Sequence, residues 1–207
     1  MSEISATAVK ELREISGAGM MDCKKALSEA SGNLDMAMDI LRKSGIAKAQ
    51  KKSGRSTKEG KIFSYIHPGS KLGVLIEINC ETDFVAKTDD FINLNKDLAL
   101  HIAASTPMSI NRENISVDIL EREKAIYADQ ARQSGKPENI IDKMIEGRIN
   151  KFYQEHVLLE QAFVKDPDKT VQDIITDTIA KLGENIVVSR FVRFQLGEQI
   201  NNSSVSS

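Results

Sequence analysis

The first 45 residues carry apolar positions at helical spacing, interrupted by polar and glycine stops. Ser5 is a good N-cap for a first helix, and Gly17 ends it. The pattern predicts a second helix from about Asp22 to Gly32 and a third from Leu34 to Gly45. The apolar stripes comprise Val9, Leu12, Ile15, Ala26, Leu27, Ala30, Leu34, Ala37, Met38 and Leu41. Three short helices bury only a small core, which is typical of a docking module, here residues 1–47.

Residues 48–61 lack this periodicity and are rich in serine, glycine and threonine. Six basic residues and one acid, Glu59, give the segment a local charge of +5 in a chain whose net charge is -2. The pattern predicts a flexible basic linker with a domain boundary near residue 55. The charge suits RNA, an acidic partner or simple solubility. Because no aromatic side chains are interleaved to stack on bases, solubility is favoured.

After this segment the apolar period changes to two. Ile62–His67 and Val74–Cys80 flank a Pro68–Lys71 turn, which is typical of a β-hairpin with one buried face. Ile186–Leu196 alternates in the same way. These three strands predict a small antiparallel sheet with helices on one face, so the fold class is α+β.

Helical periodicity returns between the second and third strands. One stripe runs from Phe91 to Ile102, and a second helix is predicted over residues 118–133. A third helix is predicted from Pro137 to about Phe163, so that a long antiparallel helical hairpin covers about residues 118–163. A last helix lies between a capping-box-like Thr170 and Gly183. The predicted core domain is residues 62–198, followed by a disordered polar tail, residues 199–207.

The composition narrows the class of protein. The chain of 207 residues is 41% hydrophobic and 28% charged, as in ordinary globular proteins. It has no apolar run of membrane-spanning length and no basic region followed by an apolar stretch at its start, so we expect neither a membrane span nor a secretory signal. Two cysteines are too few for a disulfide framework, which favours an intracellular compartment.

The sequence offers little catalytic chemistry. It contains neither a dinucleotide-binding nor a P-loop glycine motif. Its three histidines are scattered, with no cysteine or carboxylate at metal-ligand spacing. Asp89 and Asp90 follow Thr88 and are better interpreted as first-turn helix acids than as paired catalytic carboxylates. We therefore expect no enzyme activity, cofactor or metal of its own.

Two segments contain residues that have two interpretations each. Phe84 precedes Phe91 by seven residues, which favours a place on the core stripe; on a turn held away from the sheet, it would instead be an exposed probe for a partner's pocket. Met20 and Met21 lie between two predicted helices, where they either fill the small core or form an adaptable contact surface.

Four segments, in order, resemble elongation factor Ts. They are Leu12–Leu27, Glu77–Lys87, the stretch from Ser134 to Pro167, and Arg193–Glu198. Ser16 stands where the family usually has threonine, and Ala162 where it usually has proline. The resemblance implies that longer members of the family carry a second, related core module, and we expect only one in these 207 residues.

The resemblance implies a guanine-nucleotide exchange factor for elongation factor Tu. It implies that the N-terminal module is ubiquitin-associated-like and docks on the partner through Met20, Met21 and Lys24. It also implies that Thr82, Asp83, Phe84 and Val85 form the working tip, which dislocates the partner's Mg²⁺. The partner is expected in its GDP-bound and nucleotide-free states, with no membrane and no direct nucleic acid contact. The implied location is cytoplasmic, or an organellar matrix or stroma if a transit segment has been removed.

A single core module also suggests a homodimer, because a second copy would supply what longer relatives carry in one chain. The strand Ile186–Leu196, which has apolar residues on both faces, and the helical hairpin are rival dimer interfaces. Other classes remain open: an RNA-binding protein that uses the basic segment, an enzyme of unknown chemistry, or a scaffold that binds without altering nucleotide release.

Overall fold

The computed structural model describes residues 4–133 and 137–198. The helices are α1 (Ala6–Ser16), α2 (Met20–Glu29), α3 (Leu34–Lys52), α4 (Asp83–Ala86), α5 (Asp89–Ser105), α6 (Val117–Gln133), α7 (Glu138–His156) and α8 (Val171–Leu182). The strands are β1 (Glu59–Ile66), β2 (Leu72–Cys80), β3 (Ala162–Phe163), β4 (Asp166–Thr170) and β5 (Ile186–Gln195). The predicted tail, residues 199–207, lies outside the described residues.

The chain divides into two compact units. Unit 1 comprises Met1–Lys61, Glu77–Asn95 and Asp173–Ser189. Unit 2 comprises Ile62–Ile76, Lys96–Gln172 and Arg190–Ser207. Unit 1 therefore joins the N-terminal helices to the end of β2, to α4 and to most of α8. The predicted domain boundary in residues 48–61 stays a prediction.

The N-terminal helices form around Leu12, Cys23 and Leu27, which are fully buried. The Ser5 side chain caps α1 by accepting from the Ala8 amide, and Gly17 ends the helix with φ 65°, as predicted. The second helix begins at Met20 rather than Asp22, because the Gly19 carbonyl already accepts the first helical hydrogen bond from the Cys23 amide.

The prediction that the third helix stops at Gly45 is wrong. α3 continues to Lys52, so the first part of the predicted basic linker is helical. Gly45 is buried inside the helix, and a Cβ there would lie 3.4 Å from the Ala180 Cβ. The glycine therefore serves a close approach of α3 to α8 within unit 1, not a helix stop.

Strands β1, β2 and β5 form the predicted antiparallel sheet, in the order β1-β2-β5. The His67 amide donates to the Leu72 carbonyl across the hairpin, and the Leu196 amide donates to the Lys71 carbonyl beyond β5. One face of β2 is buried and consists of Val74, Ile76, Ile78 and Cys80. The opposite face of the strand includes the exposed Leu75. The alternation predicted from sequence is confirmed.

The helical hairpin is shorter than predicted. α6 packs against α7 over a small core that contains Phe152 and Val157. α7 ends at His156, not near Phe163, because the backbone there pairs with residues 108–109 instead of continuing the helix. The Met108 amide donates to the His156 carbonyl, and the Leu158 amide donates to the Ser109 carbonyl, both at 2.8 Å. A 3₁₀ turn (Leu158–Glu160) and the small β3–β4 hairpin follow, neither of which was predicted.

A protruding turn and a docking helix as candidate functional site

The candidate tip, residues Thr82–Val85, lies where β2 passes into a helix. Thr82 is the N-cap of α4, with extended φ and ψ, and its hydroxyl accepts from the Val85 amide at 3.4 Å. α4 is only one turn long, and Thr88 then caps α5 by accepting from the Phe91 amide at 3.3 Å. The sequence T-D-F-V thus forms a separate capped turn before the long helix begins.

Phe84 projects from this turn and is 78% exposed. The interpretation of Phe84 as a member of the core stripe is therefore wrong. The seven-residue spacing to Phe91 does not place both residues on one face, because α4 and α5 are separate helices and the chain bends between them. The Val85 side chain is 8% exposed and lies in the core, so of this pair only Phe84 offers an apolar surface to a partner.

Glu184, just after α8, holds the start of this turn by hydrogen bonds. One carboxylate oxygen accepts from the amides of Glu81 (3.1 Å) and Thr82 (3.0 Å). The other accepts from the Thr82 hydroxyl at 2.6 Å. Three donors from two successive residues thus converge on one carboxylate, and hydrogen bonds to a charged acceptor are among the stronger ones in proteins.

A second set of hydrogen bonds joins the same two segments with the donor and acceptor roles exchanged, through Glu81 and Asn185. The Glu81 carboxylate accepts from the Asn185 amide at 2.7 Å and lies 3.4 Å from the Arg55 guanidinium. The Asn185 side chain, 3% exposed, donates to the carbonyls of Ser53 (3.3 Å) and Arg55 (3.0 Å). We call Glu81, Glu184 and Asn185 the brace.

The remaining groups at the turn give no sign of nucleophilic chemistry. The Cys80 thiol donates to the Thr82 carbonyl at 3.1 Å, and burial raises its pKa to about 11, so the thiol stays protonated near neutral pH. Asp83 is exposed and pairs with Lys87 at 2.6 Å. The hydrogen bond from Lys87 lowers the pKa of Asp83 and raises that of Lys87.

The second candidate region is the outer face of α2, in the same unit. Met20 is 58% exposed and Met21 74% exposed, and Lys24 is also exposed. The inner face of the helix carries the buried Cys23 and Leu27. The interpretation of the two methionines as core residues is therefore wrong. We call Met20, Met21 and Lys24 the docking face, whose role in binding stays a prediction.

Sequence reasoning missed the whole brace. Periodicity identifies positions that face a core, but Glu184 is a half-buried acid directly after the helix-ending Gly183, and no pattern links it to Thr82. One usable signal was the acid-amide pair Glu184–Asn185 between a helix stop and a strand. Polar side chains at such a junction often bond free backbone groups.

Within residues 4–133 and 137–198, no group of three or more His, Cys, Asp or Glu side chains could hold a metal ion. Across the same described ranges, no helix combines the length and the apolar character that a membrane span requires.

An exposed aromatic on a braced turn, together with a helix that presents exposed methionines, defines a candidate protein-contact site. A family model described as Elongation factor TS matches residues 2–198. The chain is 60% identical over 195 residues to the elongation factor Ts of Geobacter sulfurreducens, which covers 94% of this chain and 90% of that one. It is 58% identical over 196 residues to the elongation factor Ts of Fervidobacterium nodosum, with 95% and 100% covered.

A third relative, the elongation factor Ts of a Thermoanaerobacter species, is 57% identical over 201 residues, or 97% of this chain and 98% of that one. The chain belongs to the elongation factor Ts family. The resemblance found in its four sequence segments is confirmed.

Proposed function

We propose that this protein is a guanine-nucleotide exchange factor that binds elongation factor Tu and accelerates release of its GDP. The observation that carries the proposal is Phe84: a large apolar side chain, 78% exposed, on a turn whose backbone is fixed by Glu184. An exposed aromatic on an ordered support suits insertion into a partner, because little conformational freedom is lost on binding.

Phe84 acts near the partner's nucleotide site and dislocates the Mg²⁺ bound there, with Thr82, Asp83 and Val85 forming the turn that carries it. Since that metal bridges phosphate oxygens to protein, its loss removes a large share of the hold on GDP. The coupling is reciprocal. The factor by which this protein lowers the affinity of elongation factor Tu for GDP equals the factor by which GDP lowers the affinity of elongation factor Tu for this protein. The protein performs no covalent step and needs no cofactor of its own.

The docking face supplies affinity in this proposal. Met20 and Met21 are flexible, polarizable side chains that fit an irregular apolar surface, and Lys24 adds a cation beside them. Docking through α2 and exchange through Phe84 are then separable by mutation. Docking sets the concentration of this protein at which GDP release is half-maximal, and Phe84 sets the rate of GDP release at saturation.

We also propose that the protein is a homodimer that serves two partner molecules. Unit 2 has an open apolar groove lined by Ile66, Leu72, Phe194 and Leu196 among others, and three of these side chains are exposed. A second copy would cover such a surface. The α6–α7 hairpin is the rival interface.

Light scattering of the free protein tests the dimer. A measured mass of about 46 kDa supports a dimer of this 22.9 kDa chain, and the mass of a monomer at every concentration rejects it.

The site of action in this proposal is the cytoplasm, without membrane attachment or direct contact with nucleic acid. The test of the function uses elongation factor Tu loaded with a fluorescent GDP analogue and chased with excess GDP. The expected result is release that accelerates with added protein and reaches a plateau rate. Binding without acceleration would indicate a scaffold and would contradict the proposal.

A further inference from the structure

We propose that Glu184 and Asn185 are positioning residues for exchange, which fix the direction of Phe84 and tie the tip to the chain that leaves α3. This inference rests on the proposed exchange function. Neither residue is expected to touch the partner. Glu184 acts on the amides of Glu81 and Thr82 and on the Thr82 hydroxyl. Asn185 acts on the Glu81 carboxylate and on the carbonyls of Ser53 and Arg55.

The first observation is the convergence of donors on Glu184. The amides of Glu81 and Thr82 and the Thr82 hydroxyl all point at its carboxylate, at 2.6–3.1 Å. These two amides precede α4 and lie outside its helical hydrogen bonds. The carboxylate therefore sets the angle at which the chain leaves β2, and with it the direction in which Phe84 projects.

The second observation is that the same junction holds the chain that leaves α3. The Asn185 side-chain amide donates to the carbonyls of Ser53 and Arg55, while its backbone amide donates to Glu81. The guanidinium of Arg55 lies 3.4 Å from the same Glu81 carboxylate. The end of α3 and the start of the tip are therefore held by adjacent residues, within one compact unit.

The third observation is that the tip has little apolar support of its own. The buried side chains of α4 are Val85 and Ala86, and this helix is a single turn. Isolated helical turns are unstable in water. Without the brace, the tip would sample several directions, and only a fraction of encounters would present Phe84 correctly. Since the proposed function assigns affinity to the docking face and the exchange step to Phe84, this preorganisation raises the maximal rate more than the affinity.

The test measures GDP release from elongation factor Tu over a range of protein concentrations. For Glu184→Ala we expect a maximal rate lower by about tenfold, with half-saturation within about twofold, because the docking face is unchanged. Glu184→Gln is the conservative variant: its amide oxygen can accept both backbone amides and its NH₂ can donate to the Thr82 hydroxyl, so most of the rate should return. Asp90→Asn is the matched control, since it breaks the neighbouring Lys181–Asp90 pair without touching the turn.

A second arm asks whether Glu184 acts through Phe84. In a Phe84→Leu background, Glu184→Ala should cost much less than in the wild type, because two changes on one path are not additive. A full additional loss would overturn the inference, as would a Glu184→Ala protein that is unfolded at the assay temperature or one with wild-type rates. Absence of stimulation by the wild-type protein would instead overturn the exchange function, and this inference with it.

Discussion

The turn at Thr82–Val85 and the segment around Gln161 are both held by side chains that bond groups far away in the sequence, yet of the two only the turn carries an exposed aromatic. In unit 2, the Gln161 side chain donates to the carbonyls of Ser105 (3.3 Å) and Glu155 (2.7 Å) and accepts from His101 Nε2 (2.9 Å). The Val164 amide donates to His101 Nδ1, which leaves the ring proton on Nε2. We call this the Gln161 network.

The two networks differ in what they surround. Gln161 is 4% exposed and His101 is fully buried, so the network ends inside the protein and holds the chain that follows α7. The brace holds the start of the turn that carries Phe84, and the Phe84 side chain is 78% exposed. A buried polar network without an exposed end is explained by folding alone. Under the proposed function, the support of the exposed Phe84 serves contact with a partner. The predictions below test this contrast.

The largest effect on stability is expected for Gln161→Ala. The change leaves the Ser105 and Glu155 carbonyls and the His101 ring without their partner, which should cost about 2–3 kcal/mol in free energy of unfolding. Chemical denaturation measures this loss. The rate of GDP release at saturation should stay unchanged below the melting point. A stable variant with slowed exchange would remove the distinction between the two networks.

The Gln161 network also predicts a pH dependence. Burial lowers the pKa of His101, while the hydrogen bond with Gln161 opposes the shift. The pKa of histidine in the unfolded chain is about 6.5, so the contribution of neutral His101 to stability is complete above that pH. It is lost as the pH falls toward the lower pKa of the folded state, by at most about 1.4 kcal/mol per pH unit. Denaturation of wild type and His101→Gln at pH 7.5 and 5.5 checks this: the variant should lose the steeper part of the decline.

The docking face should affect binding without affecting the maximal rate. For Met20→Ala with Met21→Ala, we expect half-saturation of GDP release to rise about tenfold, at an unchanged plateau and melting temperature. Met36→Ala is the matched control, because that methionine is 56% exposed but lies on α3. Equal effects of Met36→Ala and the double variant would argue against a specific docking face.

The smallest effect is expected at the exposed pair on the tip. Asp83→Asn removes an ion pair with Lys87 that is solvent-exposed on both sides, and such pairs contribute little to stability. The melting temperature should not change measurably. If Asp83 itself contacts the partner, GDP release will slow in this variant at the same stability, and Lys87→Gln distinguishes this contact from loss of the pair.

Periodicity predicted what depends on burial. The stripe from Phe91 to Ile102 and the alternation of Val74–Cys80 are set by which side chains leave water, and both were confirmed. The errors have another origin. The predicted helix end at Gly45 is wrong because the local sequence does not distinguish a glycine that ends a helix from one that permits close packing, here against Ala180. The end of α7 was misplaced because its backbone pairs with residues 108–109, and no local pattern encodes that pairing.

The candidate site shows the same division. The exposure of Phe84 followed from the family resemblance, not from spacing, which favoured the core. Glu184 and Asn185 could not be found from sequence spacing, because they act on residues about a hundred positions earlier. Hydrogen bonds from side chains to distant segments leave no trace in the hydrophobic pattern of a sequence. The residues that support a turn in this way are therefore identified only from the structure.

The central claim is that Phe84 is placed for a partner and not for the fold. The most direct measurement is Phe84→Ala, assayed both for release of GDP from elongation factor Tu at saturating protein and for melting temperature. We expect a loss of about 30-fold or more in the maximal rate, as for a central contact residue, with the melting temperature of the wild type. Wild-type exchange would contradict the claim, and so would a loss of about 3–5 kcal/mol in stability, as for a buried phenylalanine.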